Sequence, residues 1–204
     1  MGNNFNNQTQ RLVRLAKEGD QSALEQLCRV YNDRALRIVR MRMGPELRTK
    51  LESIDLVQDA FISALRSIGS FTYTNEGDFL RWLSTIIENR LRDNFDKFHA
   101  DKRDIRKEIP LTNNRETTNE ELQAVFEPAC LTTPSIIMSK QEDLNKLEKA
   151  IDKLKPEYKE VIILSKLEEL TYQQISSKIG KSPDAVRMLL ARAMAELSST
   201  FEEV

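Results

Sequence analysis

The segment Thr171-Tyr-Gln-Gln-Ile-Ser-Ser-Lys-Ile-Gly180-Lys-Ser-Pro-Asp-Ala-Val-Arg187-Met-Leu-Leu-Ala-Arg-Ala193 decides the fold of the chain's second half. Thr171 followed three residues later by Gln174 is a capping-box pattern, in which each side chain satisfies a backbone donor of the other. Ile175 and Ile179 give the short helix that follows one apolar side. Gly180 stands where a tight turn needs a positive φ, which glycine adopts at little cost. Ser182 is suited to the next N-cap, and Pro183 to the first helical position. Val186, Leu189, Leu190, Ala193 and Leu197 then form a buried stripe, leaving Asp184, Arg187, Met188, Ala191 and Arg192 facing outward. Two helices joined by a short glycine turn, the second bearing arginines on its outer face, match the geometry that sets a recognition helix in a DNA major groove. Lys181, Ser182 and the helix N-termini are placed for phosphates.

Upstream, the chain again reads as helices. Leu12, Val13, Leu15 and Ala16 start a short one that Gly19 ends, and Asp20 is placed to cap the next. There Leu24, Leu27, Cys28, Tyr31, Ala35, Ile38 and Val39 share a face, until Gly44-Pro45 breaks the run. Ile54, Val57, Phe61, Ala64, Leu65 and Ile68 mark a third helix. Leu80, Leu83, Ile87 and Leu91 mark a fourth, whose pattern fades after Phe95 into a charged run. Between these two lies a polar loop, Phe71 to Phe79. Residues 108–134, with Pro110, Pro128, Pro134 and many Thr, Asn and Glu, read as a flexible linker. Helicity resumes at Ser135, with Leu144, Leu147, Ile151 and Leu154 on one face, and Val161 to Leu167 read as a short, almost wholly buried helix. The expected fold is all-α: two small helical domains, 8–107 and 135–204, joined by the linker 108–134.

Composition narrows the function. The 204 residues carry a net charge of -1, but the charge is unevenly spread. Residues 1–50 hold ten Lys and Arg against five Asp and Glu, and 51–89 hold two against six. Residues 90–107 return to seven against four, and 111–148 fall to three against seven. Such asymmetry points to partners of both signs, nucleic acid for basic stretches and a basic protein surface for acidic ones. Cys28 and Cys130 are the two cysteines and His99 the one histidine, which excludes a tetrahedral zinc site built from about four Cys/His ligands. No metal, cofactor or catalytic constellation is expected. His99 sits in a charged run with no evident partner. No apolar stretch approaches the ~20 residues of a membrane span, and the first residues, MGNNFNNQTQ, lack a secretory leader. A cytoplasmic protein without membrane insertion is the expectation.

Five blocks in order give the chain a family resemblance. They are Asp55-Leu-Val-Gln-Asp-Ala-Phe61, Phe79-Leu-Arg-Trp-Leu-Ser-Thr-Ile-Ile-Glu-Asn-Arg-Leu-Arg-Asp93, Leu154-Lys-Pro-Glu-Tyr-Lys-Glu-Val161, Leu170-Thr-Tyr-Gln-Gln-Ile175 and Ala185-Val-Arg-Met-Leu-Leu-Ala-Arg-Ala193. Together they resemble an extracytoplasmic-function (ECF) sigma factor, group 4 of the bacterial RNA polymerase sigma factors. The resemblance covers nearly all of the chain, which looks too short for the extra regions of a housekeeping sigma factor. It implies a region 2-like domain that binds the polymerase clamp and the minus-ten promoter element. It further implies a region 4-like domain at the polymerase flap that reads the minus-thirty-five element. Core RNA polymerase and promoter DNA are the implied partners, and the class admits an anti-sigma protein.

The resemblance also assigns residues. Asp55, Gln58 and Asp59, at i, i+3 and i+4 on one helix face, with Leu56 beside them, would dock on the polymerase clamp. Phe71 and Tyr73 would line the pocket for an unstacked minus-ten base, with Asn89 reading the base and Ile86 in the wall. Trp82 is a core residue or a stacking one. Arg90 and Arg92, followed by Lys97, Lys102 and Arg103, would track phosphates. Lys181, Ser182, Asp184, Arg187, Met188 and Arg192 would meet the minus-thirty-five element. Met188 and Leu189 stand where many members carry a small polar residue and a basic one, so the resemblance does not extend to a promoter sequence. The competing reading is a free-standing helix-turn-helix regulator with a helical sensor domain, which has no need of the Asp55–Phe61 and Trp82–Asp93 blocks.

Overall fold

The computed structural model describes the backbone of residues 2–74, 77–104 and 134–203, and the side chains of 8–74, 77–100 and 142–203. The linker expected at 108–134 falls almost wholly outside the described residues, as do Cys130 and the side chains of Lys102 and Arg103.

Helix α1 spans Gly2–Lys17, beginning ten residues before the first apolar residue of the expected pattern. Leu12, Val13 and Ala16 are its buried apolar residues among those described, and Gly19 turns the chain at φ +89°. Asp20 caps α2 (Gln21–Arg42) by accepting from the Ala23 amide at 3.1 Å. The Ser22 hydroxyl and that amide hold the Asp20 carboxyl below its usual range. The α2 stripe is buried as read, except that Leu24 is only half-buried. Cys28 lies within it, and burial pushes its thiol up to about 12. Tyr31 exchanges a 3.0 Å hydrogen bond with the buried Thr9 hydroxyl of α1.

Gly44-Pro45 ends α2 and opens a one-turn helix, α3 (Pro45–Arg48), too short to leave a periodic signal. Helix α4 (Ser53–Ser67) runs into a 3-10 turn at Ile68–Ser70. Helix α5 is Asp78–Asp104, so the charged run after Phe95 is helical although its apolar pattern has faded. There His99 packs on the Phe95 ring, with centroids 4.1 Å apart, and lies 3.9 Å from Glu46, a neighbour its sequence context did not indicate. Helices α1, α2, α4 and α5 enclose one apolar core, centred on Ile38, Val57, Phe61, Leu80 and Leu83.

The second half holds α6 (Pro134–Lys153), α7 (Pro156–Ile162), α8 (Tyr172–Ile179) and α9 (Pro183–Glu202). The expected helix from Val161 to Leu167 is instead the end of α7 followed by a π-helical turn, Ile163–Leu167. Val161 to Leu164 are buried, but Lys166 is exposed. The extra residue per turn is closed by the Glu168 amide donating to the Ile163 carbonyl at 3.0 Å. Glu169 follows with φ +57°, a left-handed conformation that costs a non-glycine residue ~1 kcal/mol or more. Such irregular turns recur at functional positions. Here they aim Glu168 and Glu169 at the first half. The second core gathers Ile151, Val161, Leu164, Ile175, Val186, Leu190, Ala193 and Leu197, and it includes Met41 of α2.

Candidate nucleic-acid interface and docking face

Helix α4 presents the acidic face by simple periodicity. Asp55 and Asp59 are exposed and Gln58 is half-buried. Leu56, expected beside them, is 3% exposed and belongs to the core, because the helix buries positions 56, 57, 60 and 61 together. Ile54 takes the opposite course. The sequence pattern put it inside, and the structure leaves it 42% exposed, since it lies in the first turn of α4. It is the apolar neighbour of the acidic face, and it lines a cavity of about 310 Å³ with Leu36, Arg48 and Leu51. An apolar residue one step before the first aspartate was the only sequence signal for it.

The loop after the 3-10 turn is built on an aromatic stack. Phe71 is 6% exposed. Its ring lies 4.7 Å from Trp82 at 25° and meets Phe79 edge-on at 5.8 Å. Phe71 therefore supports the loop from beneath and does not offer a stacking face. Its neighbour in the stack, Trp82, is half-buried against the same core. Tyr73 is half-buried and packs against the first core. The loop is tied down by Asp78, which accepts from the Thr74 amide at 2.8 Å and pairs with Arg81. Ile86, Asn89 and Arg90 share one face of α5 at i, i+3 and i+4. Asn89 is exposed and Ile86 half-buried. Arg90 donates from Nε to the Ser63 hydroxyl at 2.9 Å and lies 3.6 Å from Asp93, while Arg92 is exposed on the neighbouring side.

The helix-turn-helix forms through the expected local chemistry. Thr171 Oγ1 accepts from the Gln174 amide at 3.3 Å, and Gln174 Oε1 accepts from the Thr171 amide at 2.9 Å. Gly180 adopts φ +69°, and Ser182 Oγ accepts from the Ala185 amide at 3.2 Å. Asp184, Arg187, Met188 and Arg192 are exposed together on α9, with Met188 at 50%. Arg187 lies 3.4 Å from Asp184 and Lys181 lies 3.8 Å from Glu157. Leu189, expected in the buried stripe, is half-buried.

A charged seam absent from the sequence reading joins the two halves. Arg40 pairs with Glu148 and donates to Asn145 Oδ1 at 2.7 Å. Arg48 pairs with Asp152, and Arg34 lies 3.4 Å from Glu169. Arg42 sits among Glu168, Glu160 at 3.1 Å and Glu88 at 2.7 Å. Burial alone would lower its affinity for a proton, but these carboxylates outweigh burial and hold the guanidinium above its usual range. Lys178 of α8 completes the seam at 2.9 Å from Glu88, one residue before Asn89. Much of the basic excess of residues 1–50 is thus neutralised inside the molecule. Helical periodicity shows which face of α2 is apolar, not which arginines meet carboxylates more than a hundred residues away.

Among the described residues there is no Asp/Glu/His/Cys group able to hold a metal, and no helix long and apolar enough to cross a membrane. Two family models match the chain in succession: sigma-70 region 2 over residues 27–99 and sigma-70 region 4 over residues 144–197. The chain belongs to the sigma-70 family. Its relatives are of the ECF class within that family. The ECF RNA polymerase sigma factor BldN of Streptomyces coelicolor is 28% identical over 187 residues, covering 92% of this chain and 63% of BldN. The chain thus spans just under two thirds of that relative's length. In fold, this sigma-family chain overlays CnrH, solved in complex with the cytosolic domain of CnrY, with a TM-score of 0.57 at 21% identity over 96% of this chain and 98% of that one. RpoE, solved with the anti-sigma factor NepR from Bartonella quintana, overlays with a TM-score of 0.52 at 19% identity, covering 87% and 94%. The acidic face of α4 and the loop before α5 fall in the region 2 segment, and the helix-turn-helix falls in region 4.

Proposed function

We propose that this chain is a promoter-specificity subunit, which binds core RNA polymerase in the cytoplasm and directs transcription initiation without catalysing a reaction itself. The observation that carries the reading is the succession of sigma-70 regions 2 and 4 in one chain. A free-standing helix-turn-helix regulator accounts for region 4 but not for region 2. Residues 8–107 form the domain that docks on the clamp and takes the minus-ten element, and residues 135–204 form the domain at the flap that reads the minus-thirty-five element. Asp55, Gln58 and Asp59 are the docking residues, with Ile54 as their apolar companion. Tyr73, Ile86, Asn89, Arg90 and Arg92 receive the minus-ten strand. Lys181, Ser182, Asp184, Arg187, Met188 and Arg192 face the minus-thirty-five element. The complexes of RpoE with NepR and of CnrH with CnrY support an anti-sigma protein as a further partner.

In this reading the seam between the halves must part on the polymerase. The two promoter elements lie roughly 25 base pairs apart, on the order of 85 Å of duplex at ~3.4 Å per base pair. Here Lys178 of α8 touches Glu88, beside Asn89. One molecule reads both elements only after this contact is broken.

The test is run-off transcription with core polymerase on a genomic promoter library, after a pull-down that measures core binding. Promoter-dependent transcripts are expected, and an absence of core binding refutes the reading. Asp55→Ala with Asp59→Ala should weaken core binding while leaving the circular dichroism unchanged.

A further inference from the structure

One apolar side chain of α2 is buried in the other half of the molecule. Ile38, Val39 and Met43 lie in the first core, but Met41 between them is 1% exposed and lies in the second. Among the described residues it is the only member of the second core that comes from the first half. The surface that receives it is α6 and the π-helical turn, which carry the buried Ile151 and Leu164. An unbranched, polarizable methionine suits an irregular gap of this kind. The residues on either side of it end at the same place. Arg40 reaches Glu148 and Asn145, and Arg42 reaches Glu160 and Glu168. The second half thus offers a socket with an apolar floor and a carboxylate rim. The segment it holds matches in charge, since residues 34–45 carry four arginines and no Asp or Glu. None of Arg40, Met41 and Arg42 belongs to the surfaces assigned above.

We infer that Arg40-Met41-Arg42 is an internal blocking segment, which fills a socket that otherwise takes a basic–apolar–basic helical segment of core polymerase. The inference rests on the promoter-subunit reading and adds what the closed seam occludes and the chemistry that displaces it. Parting the halves turns the apolar floor toward water and takes Arg40 from Glu148 and Arg42 from Glu160. An apolar centre inside a polar rim is the anatomy of a protein–protein contact. The carboxylates repel phosphates, so the rim excludes nucleic acid as the occupant. In the promoter-subunit reading, the protein that holds the halves apart is core polymerase. The rim also sets selectivity, because an apolar residue flanked by acids would bring like charges together. The tether gives the internal segment an effective concentration on the order of 1 mM, which a segment in trans must overcome.

The probe is a fluorescein-labelled peptide of residues 34–48 of this chain, titrated by anisotropy onto the full chain. Met41→Glu in the chain should empty the socket and spare the first core, to which Met41 does not belong. That variant should bind the peptide, and the wild type should bind it about tenfold more weakly or worse. A peptide Kd of ~100 µM against an internal competitor at ~1 mM gives that factor. A peptide carrying Met41→Glu should bind neither chain. Arg40→Gln/Arg42→Gln opens the seam by a second route and should bind the peptide as Met41→Glu does, and thermal melting checks that each chain is folded. Equal affinity of wild type and variants overturns the inference, and so does an absence of saturable binding to both variants. Excess unlabelled peptide should weaken the binding of Met41→Glu chain to core polymerase several-fold. Unchanged core affinity overturns the assignment to polymerase, as does a dimer of Met41→Glu chain with wild type in sedimentation, which gives the socket to a second copy. If neither chain binds core at all, the function proposed above falls. The peptide titration then still decides whether Met41 fills a competent socket.

Discussion

The guanidinium of Arg42, on α2, is hydrogen-bonded to the carboxylate of Glu168, 126 positions away and only 2% exposed at the side chain. The contact lies between the half of the chain with the aromatic loop before α5 and the half with the helix-turn-helix. Removing one partner of a buried pair strands the other and costs ~3–5 kcal/mol. Part of that is recovered here, because Glu88 and Glu160 also face Arg42. Glu168→Ala is therefore expected to shift the two halves toward separation by at least tenfold, ~1.4 kcal/mol. Small-angle scattering should show a larger radius of gyration, with helix content unchanged. An unchanged radius would mean that the seam does not hold the halves together.

The same seam should loosen in acid. Burial raises the Asp152 pKa, but the hydrogen bonds and charges of Arg48 and Lys159 outweigh burial and leave it below its ordinary 3.8. A carboxyl whose folded value is depressed contributes stability above its unfolded value and loses it as pH falls through the folded one. The closed packing should be insensitive to Asp152 from neutral pH down to about 5 and weaken below about 4. Asp152→Asn should flatten that acid limb in scattering or thermal melting. An identical acid limb in the variant would assign it to other carboxylates.

The turn of the helix-turn-helix depends on backbone geometry alone. A Cβ added at Gly180 meets nothing within 4 Å, but φ is +69°. Gly180→Ala should cost ~1 kcal/mol, all of it from the left-handed backbone. Gly180→Asn should cost less, since asparagine tolerates that region. Thr171→Ala should cost a further ~1 kcal/mol through the lost cap. Chemical denaturation followed by circular dichroism reads all three, and an unaffected Gly180→Ala would contradict the turn geometry.

Arg187 is the residue of α9 best placed to meet a base edge. Its 3.4 Å pairing with Asp184 is highly exposed at both side chains and gives it up easily. Arg187→Ala should reduce affinity for a promoter dependent on its upstream element by ~1–3 kcal/mol if it binds a guanine. A gel-shift series over all four bases at each position should show relaxed specificity at one of them. A loss that is equal across sequences would make Arg187 a phosphate contact.

Local chemistry was legible in the sequence, and long-range pairing was not. Thr171 with Gln174, Gly180, and Ser182 with Pro183 each act on their own backbone, so each could be read from spacing. The buried stripes of α2, α4 and α5 followed from periodicity in the same way. Periodicity misplaced Ile54, because it describes an infinite helix and α4 begins one residue before it, while the resemblance set Leu56 on the docking face although the helix buries it with Val57, Ala60 and Phe61. Periodicity missed the last turns of α5, which remain helical without an apolar stripe. It also had no access to the burial of Phe71, which depends on Trp82 arriving from the next helix. The basic excess of residues 1–50 pointed to nucleic acid because most of the carboxylates that pair with its arginines lie beyond residue 140.

That arrangement of Phe71 on Trp82 gives the protein an internal optical probe. Trp82 is the chain's one tryptophan, and its indole stacks under the loop that would receive an unpaired base. Its emission should report rearrangement of that loop in real time, with no dye attached and no competing indole signal from elsewhere in the chain.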